Sequence, residues 1–102
     1  MRLRWSNRAR RDLLAIGHYI AADNRRAARR FVQRLVERAR RVTRFPRSGR
    51  MVPEFGLPWL REVIEGNYRI LYRIDKGALD VLTVFEGHRL LRRQDVDDPP
   101  PA

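Results

Sequence analysis

The second half of the chain contains three short runs of branched and aromatic residues, each separated from the next by turn residues. Their lengths and their alternation of apolar and polar positions are typical of half-buried β-strands. Gly66-Asn67, between the first two runs, is a pair that favours a tight hairpin, and Asp75–Ala78 fits a longer turn. The pattern predicts three consecutive antiparallel strands: Trp59–Glu65, Tyr68–Ile74 and Leu79–Glu86.

The middle strand has two chemically different faces, because successive side chains of a strand point to opposite sides. Aromatic and branched residues occupy every second position from Tyr68 to Ile74, whereas Arg69 and Arg73 lie between them. We therefore expect helices to cover the apolar face. The other face is predicted to remain exposed and to present Arg61, Arg69 and Arg73.

Apolar residues in the first half recur at helical spacing. One helix is predicted over residues 7–22 after Ser6 as N-cap, and a second after Asp23 or Asn24, ending at Phe45-Pro46. Residues 2–5 alternate and fit an edge or parallel strand. The order β-α-α-β-β-β predicts an α+β fold in which a helical hairpin packs on one face of a small twisted, mainly antiparallel sheet.

A chain of 102 residues fits one domain, predicted here over residues 1–95, with residues 96–102 forming a disordered proline-rich tail. The sequence has no cysteine, which excludes disulfides, thiolate metal sites and a cysteine nucleophile. No apolar run approaches membrane-spanning length, so we expect a cytoplasmic protein. No cofactor and no metal site are expected.

The net charge of +11 is concentrated in the helical half. Residues 1–50 hold 16 arginines against Asp12, Asp23 and Glu37, a balance of +13, whereas residues 51–102 have a balance of −2. Such a field attracts an acidic partner, either a nucleic acid or a protein, and the attraction weakens with salt. A solvated helix surface in an arginine-rich protein is the simpler explanation for any single arginine.

Several short motifs, in their order and spacing, give the chain a resemblance to the RelE/ParE superfamily of toxins from bacterial type II toxin–antitoxin modules. The resemblance covers about residues 3 to 93. It is carried by Asp12–Ile16, Tyr19–Ala21, Asn24, Ala27-Ala28, Phe31, Phe45-Pro46, Gly49-Arg50, Val52–Glu54, Leu60–Glu62, Tyr68–Ile70, Tyr72-Arg73, Val84 and Gly87–Arg89.

The resemblance implies a toxin that a cognate acidic antitoxin keeps inactive. Such an antitoxin wraps the toxin with an extended segment, which often adds a strand to a sheet edge and packs along the helices. Complementary charge favours this association. The residues expected to contact the antitoxin are Tyr19, Arg26, Arg30, Arg34 and Arg38.

Two activities within the superfamily remain open. A RelE-like or YoeB-like enzyme cuts mRNA on the ribosome, which requires a base, an acid and cations beside the phosphate. The candidates for these roles are Glu54, Arg69, His88 and Arg89. The lysines of the RelE-type branch are absent, and a late tyrosine is missing. Glu54 can instead pair with Arg50 or Arg73, and Arg69 with Glu62 across the hairpin.

A ParE-like toxin binds DNA gyrase and performs no chemistry of its own. The long helical hairpin and the lack of a lysine cluster favour this hypothesis. The expected target-binding residues are Arg61, Arg69, Arg73, His88, Arg89, Arg92 and Arg93. A DNA-binding regulator is a third possibility, but the sequence shows neither helix-turn-helix spacing nor an aromatic stacking platform.

Overall fold

Two helices and a five-stranded sheet make up the part of the chain described by the computed structural model, which comprises residues 1–89, 91, 92 and 94. The predicted tail and Arg93 lie outside these residues. None of the described helices is long and apolar enough to cross a membrane. The elements are β1 (Arg2–Trp5), α1 (Asn7–Ala21), α2 (Arg25–Val42), β2 (Arg50–Met51), β3 (Leu60–Glu65), β4 (Tyr68–Asp75) and β5 (Ala78–Glu86).

Side-chain caps start both helices where the sequence predicts them. Ser6 Oγ accepts a hydrogen bond from the Ala9 amide at 3.0 Å, and Asn24 Oδ1 accepts one from the Ala27 amide at 3.0 Å. Each cap satisfies an amide that has no partner within its helix. The second helix ends at Val42, earlier than predicted, because the chain enters successive turns before it reaches Pro46.

The sheet has the strand order β1-β5-β4-β3-β2, so the first and last strands in the sequence are neighbours. β1 lies at the edge of the sheet and runs parallel to its neighbour β5. The other neighbouring pairs are antiparallel, as predicted for the three consecutive strands. The two-residue strand β2 was not predicted, and it pairs with Arg61 and Glu62 of β3.

The two helices cover one face of the sheet and enclose the larger core. Leu35 of α2 is fully buried there, together with Ile70 and Tyr72 of β4. This arrangement confirms which face of β4 packs against the helices. Burial of such aliphatic side chains is the main force that holds the two layers together.

The opposite face of the sheet is covered as well, and the prediction that it stays exposed is wrong. Val52 and Phe55 of the connecting segment pack over it, and Leu91 lies in the same apolar cluster. These residues meet Leu71 and Leu82 of the sheet. The connecting segment carries enough apolar side chains to form a second, smaller core, which the strand pattern alone does not reveal.

Arg61 does not share a face with Arg69 and Arg73, which corrects a second prediction. In the β3–β4 register Arg61 lies opposite Tyr72, and directly opposed residues share a face. Arg61 therefore lies on the helix-covered side. Its guanidinium donates to the carbonyl oxygens of Pro58 and Gly49, both at 2.9 Å, so it holds the connecting segment in place.

The start of α1 completes the outer edge of β5 beyond the point where β1 ends. The Ser6 hydroxyl donates to the Leu82 carbonyl at 2.7 Å. Asp12 accepts hydrogen bonds from the Thr83 hydroxyl at 2.6 Å and from the Val84 amide at 2.9 Å. These contacts satisfy strand groups that a neighbouring strand would otherwise bind, and they fix the position of α1 against the sheet.

Candidate functional site

A cluster of carboxylates and guanidinium groups lies beneath the connecting segment, on the sheet face away from the helices. Arg69 donates to both oxygens of Glu54, with two distances of 3.0 Å. Its Nε also donates to Glu62 at 2.8 Å. Glu62 in turn accepts from Arg50 Nε at 2.7 Å. Two glutamates and two arginines therefore balance in charge, and we call these four residues the Arg69 cluster.

The cluster is buried at its centre and open on one side. The Glu62 side chain is fully buried and that of Arg69 is 6% exposed, whereas that of Arg50 is 62% exposed. The predicted pairing of Arg69 with Glu62 is confirmed. Glu54 pairs with Arg69 and not with the neighbouring arginines that the sequence suggested.

Ion pairing changes the proton affinity of the cluster. The hydrogen bonds that Arg69 donates lower the pKa of Glu54 below its ordinary value, although burial acts in the opposite direction. The same bonds, with those to Glu62, raise the pKa of Arg69. Both groups therefore remain charged at neutral pH, and neither is poised to exchange a proton.

An aromatic ring links this cluster to the end of β5. The guanidinium carbon of Arg69 lies 5.0 Å from the centroid of the Phe85 ring, and that of Arg89 lies 5.3 Å from it. Both distances are within the range of cation–π attraction. Phe85 is 5% exposed and was not identified from the sequence, although its position opposite Arg69 in the β4–β5 register is the signal that could have found it.

His88 lies apart from the carboxylates of the Arg69 cluster. Its side chain is 81% exposed, and its Nε2 is 3.2 Å from a carboxylate oxygen of Glu86. Two described depressions are lined by His88, and Glu54 and Arg69 are not among the described residues that line either one. Glu54 therefore binds Arg69, and Arg69 and Arg89 both contact the Phe85 ring. His88 instead lies next to Glu86.

Arg73 belongs to another ion-pair cluster, near the β1 end of the sheet. It donates to the buried carboxylate of Asp80 at 3.1 Å, and Arg4 donates to the same group at 2.9 Å. Burial alone would raise the pKa of Asp80, but the hydrogen bonds from Arg4 and Arg73 outweigh it and lower this pKa. Arg73 therefore joins β4 to β1 through Asp80.

An apolar groove lies where α1 meets the ends of β4 and β5. It consists of two adjoining depressions of about 500 and 720 Å³, both of which are lined by Tyr19, Tyr68 and His88. Phe31 and Ile64 line the larger one. We call this surface the Tyr19 groove. The Tyr19 side chain, which the sequence identified as a contact residue, is 76% exposed.

The groove has a rigid aromatic floor and a charged rim. The rings of Phe31 and Tyr68 lie 5.4 Å apart in a tilted arrangement, and burial raises the pKa of Tyr68. The guanidinium carbon of Arg34 lies 5.4 Å from the centroid of the Phe31 ring, and its Nη2 is 2.7 Å from a carboxylate oxygen of Glu65. Arg38 is half-buried, whereas Arg26 and Arg30 are exposed on α2. The groove can accept an apolar side chain.

No candidate metal site is found among the described residues. They contain no group of three histidine, aspartate or glutamate side chains that could hold a metal ion. The carboxylates at the centre of the Arg69 cluster already bind guanidinium groups.

The sequence profile of the family described as "ParE toxin of type II toxin-antitoxin system, parDE" matches residues 3–91. The chain belongs to the ParE toxin family. It is also 36% identical, over 90 residues, to a protein of Sinorhizobium fredii (strain NBRC 101917 / NGR234) named "Putative toxin Y4kP", and the match covers 86% of this chain and 90% of that protein. The predicted membership of the RelE/ParE superfamily is confirmed.

Solved structures support the same fold for this ParE-family toxin. It resembles a chain of the chromosomal ParDE system from P. aeruginosa with a TM-score of 0.69 and 24% identity, covering 84% of this chain and 95% of the other. It resembles a chain of the RelBE2 toxin–antitoxin complex from Mycobacterium tuberculosis with a TM-score of 0.61 and 27% identity, covering 83% and 95%. The predicted α+β architecture is thereby confirmed.

Proposed function

We propose that this ParE-family toxin arrests growth by binding DNA gyrase in the cytoplasm, and that it does not cut RNA. The observation that carries the proposal is the state of the Arg69 cluster. Both oxygens of Glu54 hold Arg69, and Arg69 also binds the fully buried Glu62. A ribonuclease would need these same groups to face a phosphate and a reacting hydroxyl.

The acid–base requirements argue against the ribonuclease alternative. An effective general base has a pKa near the working pH and a free lone pair within reach of the proton it removes. The pKa of Glu54 is lowered by Arg69, which moves it away from neutrality. His88 pairs with Glu86 and shares no described groove with Glu54. These groups suit a structural pair better than a catalytic set.

A binding inhibitor instead requires an accessible surface and no reactive group. We place the gyrase contacts on the segment that follows β5, where His88 and Arg92 are exposed and Arg89 is partly exposed. Arg61, Arg69 and Arg73, which were also predicted as contacts, bind groups of the protein itself, and Arg89 stacks on Phe85. The predicted contact of Arg93 lies outside the described residues.

The antitoxin, in this proposal, is an acidic protein that inserts an apolar side chain into the Tyr19 groove. Tyr19 is exposed at the groove, and Arg34 lies beside Phe31 at its rim. Arg34 pairs with Glu65 but its side chain is 60% exposed, so an acidic residue next to the apolar anchor can share its guanidinium. The contacts predicted for Arg26, Arg30 and Arg38 stay predictions. Binding there also covers the segment carrying His88, which explains neutralisation by exclusion of gyrase.

A comparison of two purified targets tests this function. Added to a gyrase supercoiling reaction, the protein should inhibit supercoiling, and added to translating ribosomes it should leave mRNA intact. The Glu54→Gln variant should still inhibit gyrase when it folds, because its carboxylate performs no chemistry. Cleaved mRNA that disappears in Glu54→Gln or His88→Ala would overturn the proposal in favour of the ribonuclease.

A growth assay tests the toxin and its neutralisation together. Induced expression of the chain should stop cell division, and co-expression of its cognate acidic antitoxin should restore it. Replacing Tyr19 with Asp should weaken rescue but preserve toxicity, because the charge opposes an apolar anchor in the groove. Rescue that is equally efficient with Tyr19→Asp would contradict the proposed antitoxin site.

A further inference from the structure

The outward face of α2 carries an excess of unpaired positive charge. Seven exposed side chains make up this outer α2 face, and Glu37 is the only acidic one among them. Glu37 pairs with Arg40 at 3.2 Å, whereas the other four arginines form no ion pair with a described residue. The face consists of Arg26, Arg29, Arg30, Gln33, Glu37, Arg40 and Arg41.

This face presents no large exposed apolar side chain, and the half-buried Val32 and Val36 are the apolar residues that line a depression beside it. Stable protein interfaces depend on a few large apolar or aromatic anchors that become buried on binding. The large exposed apolar side chains of the described chain are found on other segments, such as Leu14, Tyr19 and Trp59, and none lies on α2. The outer α2 face therefore differs from the Tyr19 groove, which offers such anchors.

Exposed guanidinium groups that make no ion pair match a phosphate backbone. Arginine binds phosphate oxygens through paired N–H donors, and phosphate contacts require no apolar anchor. Arg26 and Arg41 are 15 residues apart, so at 1.5 Å per residue the face extends about 22 Å, the length of roughly six base pairs. The absence of aromatic side chains on the face disfavours single strands, which bind by base stacking.

We propose that the outer α2 face binds the phosphate backbone of double-stranded DNA without sequence preference. This would be a third binding surface, beside the proposed gyrase contacts and the Tyr19 groove, and it includes Arg26 and Arg30, which the sequence predicted as antitoxin contacts. The proposal does not depend on gyrase inhibition, because binding is measured with DNA alone. Four unpaired arginines predict the release of about four counterions and a slope near −3.6 in a plot of log K against log salt concentration.

The test uses fluorescence anisotropy of the full-length protein with a labelled duplex of about 30 base pairs, between about 50 and 200 mM salt. The Arg26→Gln/Arg30→Gln variant should roughly halve the slope. The charge-preserving Arg26→Lys/Arg30→Lys variant should retain it. The control is Arg11→Gln/Lys76→Gln, which removes the same charge from exposed positions on α1 and the β4–β5 turn and should change the slope far less.

Equal losses in the α2 variant and the control would overturn the proposal, because they would mean that net charge alone attracts DNA. A single-stranded oligonucleotide or polyglutamate of equal charge that binds as tightly as the duplex would overturn it too. Unchanged thermal melting of all variants is expected, since every substituted side chain is exposed. A variant that melts earlier is replaced by its single substitutions, to which the same comparison applies.

Discussion

Arg69 is a charged residue that the fold can bury only because two carboxylates meet it. Desolvating an isolated guanidinium costs several kcal/mol, and the attraction of a partner repays this cost when the geometry is good. Arg69 binds Glu62 from the neighbouring strand and Glu54 from the connecting segment. The exposed Arg50 neutralises the remaining charge of Glu62. Each member of the cluster therefore depends on the others.

Removing the guanidinium should be costly. We expect Arg69→Met to lower the free energy of unfolding by about 3–5 kcal/mol, because Glu62 would remain buried with only Arg50 as partner. Glu54→Gln should cost only about 1–2 kcal/mol, since Glu54 lies closer to solvent and an amide still accepts a hydrogen bond. Urea denaturation measures both. Equal losses of unfolding free energy in Arg69→Met and Glu54→Gln would contradict the burial of Glu62 at the centre of the Arg69 cluster.

Glu54 should also give the protein part of its acid sensitivity. Its pKa is lower in the folded protein than the ordinary value of 4.5, so its stabilising contribution is complete above that pH. The contribution is lost as the pH falls through the lowered pKa. The free energies of unfolding of wild type and Glu54→Gln, measured from neutral to acidic pH, should converge below pH 4.5, the ordinary pKa of a glutamate. A constant difference would exclude this linkage.

The sequence indicated the pairing of Arg69 with Glu62 because both residues lie on one predicted hairpin. It did not indicate burial, because an arginine that alternates with apolar residues normally marks an exposed strand face. The carboxylate of Glu54 and the ring of Phe85 reach Arg69 from other segments. Their approach depends on the path of the connecting segment, which local periodicity does not determine.

At the scale of elements, the two helix caps differ in how much structure they hold. Asn24 caps α2 at an exposed position, where its side chain accepts a hydrogen bond from the Ala27 amide. Ser6 is fully buried, and besides capping α1 through the Ala9 amide it donates to the Leu82 carbonyl of β5. The first cap organises one helix, whereas the second also attaches a helix to the sheet.

Alanine substitutions should distinguish these roles. Asn24→Ala is expected to cost about 1 kcal/mol, the usual effect of a lost N-cap. Ser6→Ala should cost about 2 kcal/mol or more, because it also leaves a buried carbonyl without its donor. Thermal or chemical denaturation of the two variants checks the order. A larger loss for Asn24→Ala would contradict the described contact between α1 and β5.

Helices and long strands could be predicted because their signals are local, namely caps, turns and periodicity. The helix starts at Asn7 and Arg25 and the strand start at Tyr68 agree with the structure. The strand Arg50–Met51 could not be predicted, because two residues show no periodicity. Its formation depends on pairing with β3, a contact between separate segments of the chain.

The whole molecule has two apolar layers, one on each face of a single sheet. The helix side contains the larger core, and fully buried Leu35 projects from α2 into it. The other layer is closed by the connecting segment and by Leu91. The Tyr19 groove lies where α1, α2 and two strand ends meet, so no local sequence pattern could identify it as a surface.

Truncating Leu35 tests the packing of the helical layer. We expect Leu35→Ala to lower the free energy of unfolding by about 2–5 kcal/mol, because it creates a cavity in a fully buried position. Leu14→Ala is the matched control, since Leu14 is 64% exposed, and it should change stability by less than about 0.5 kcal/mol. A similar effect of both substitutions in urea titrations would contradict the described orientation of the helices.

The parallel pairing of β1 with β5 also has a consequence for biosynthesis. The strand that leaves the ribosome first, Arg2–Trp5, pairs only with the strand that leaves last among the five, Ala78–Glu86. A nascent chain therefore cannot pair its first strand until residues 78–86 have been synthesised. Messages that stop before codon 78 yield products that lack β5, the strand with which β1 pairs. A cell that makes only these products should keep dividing.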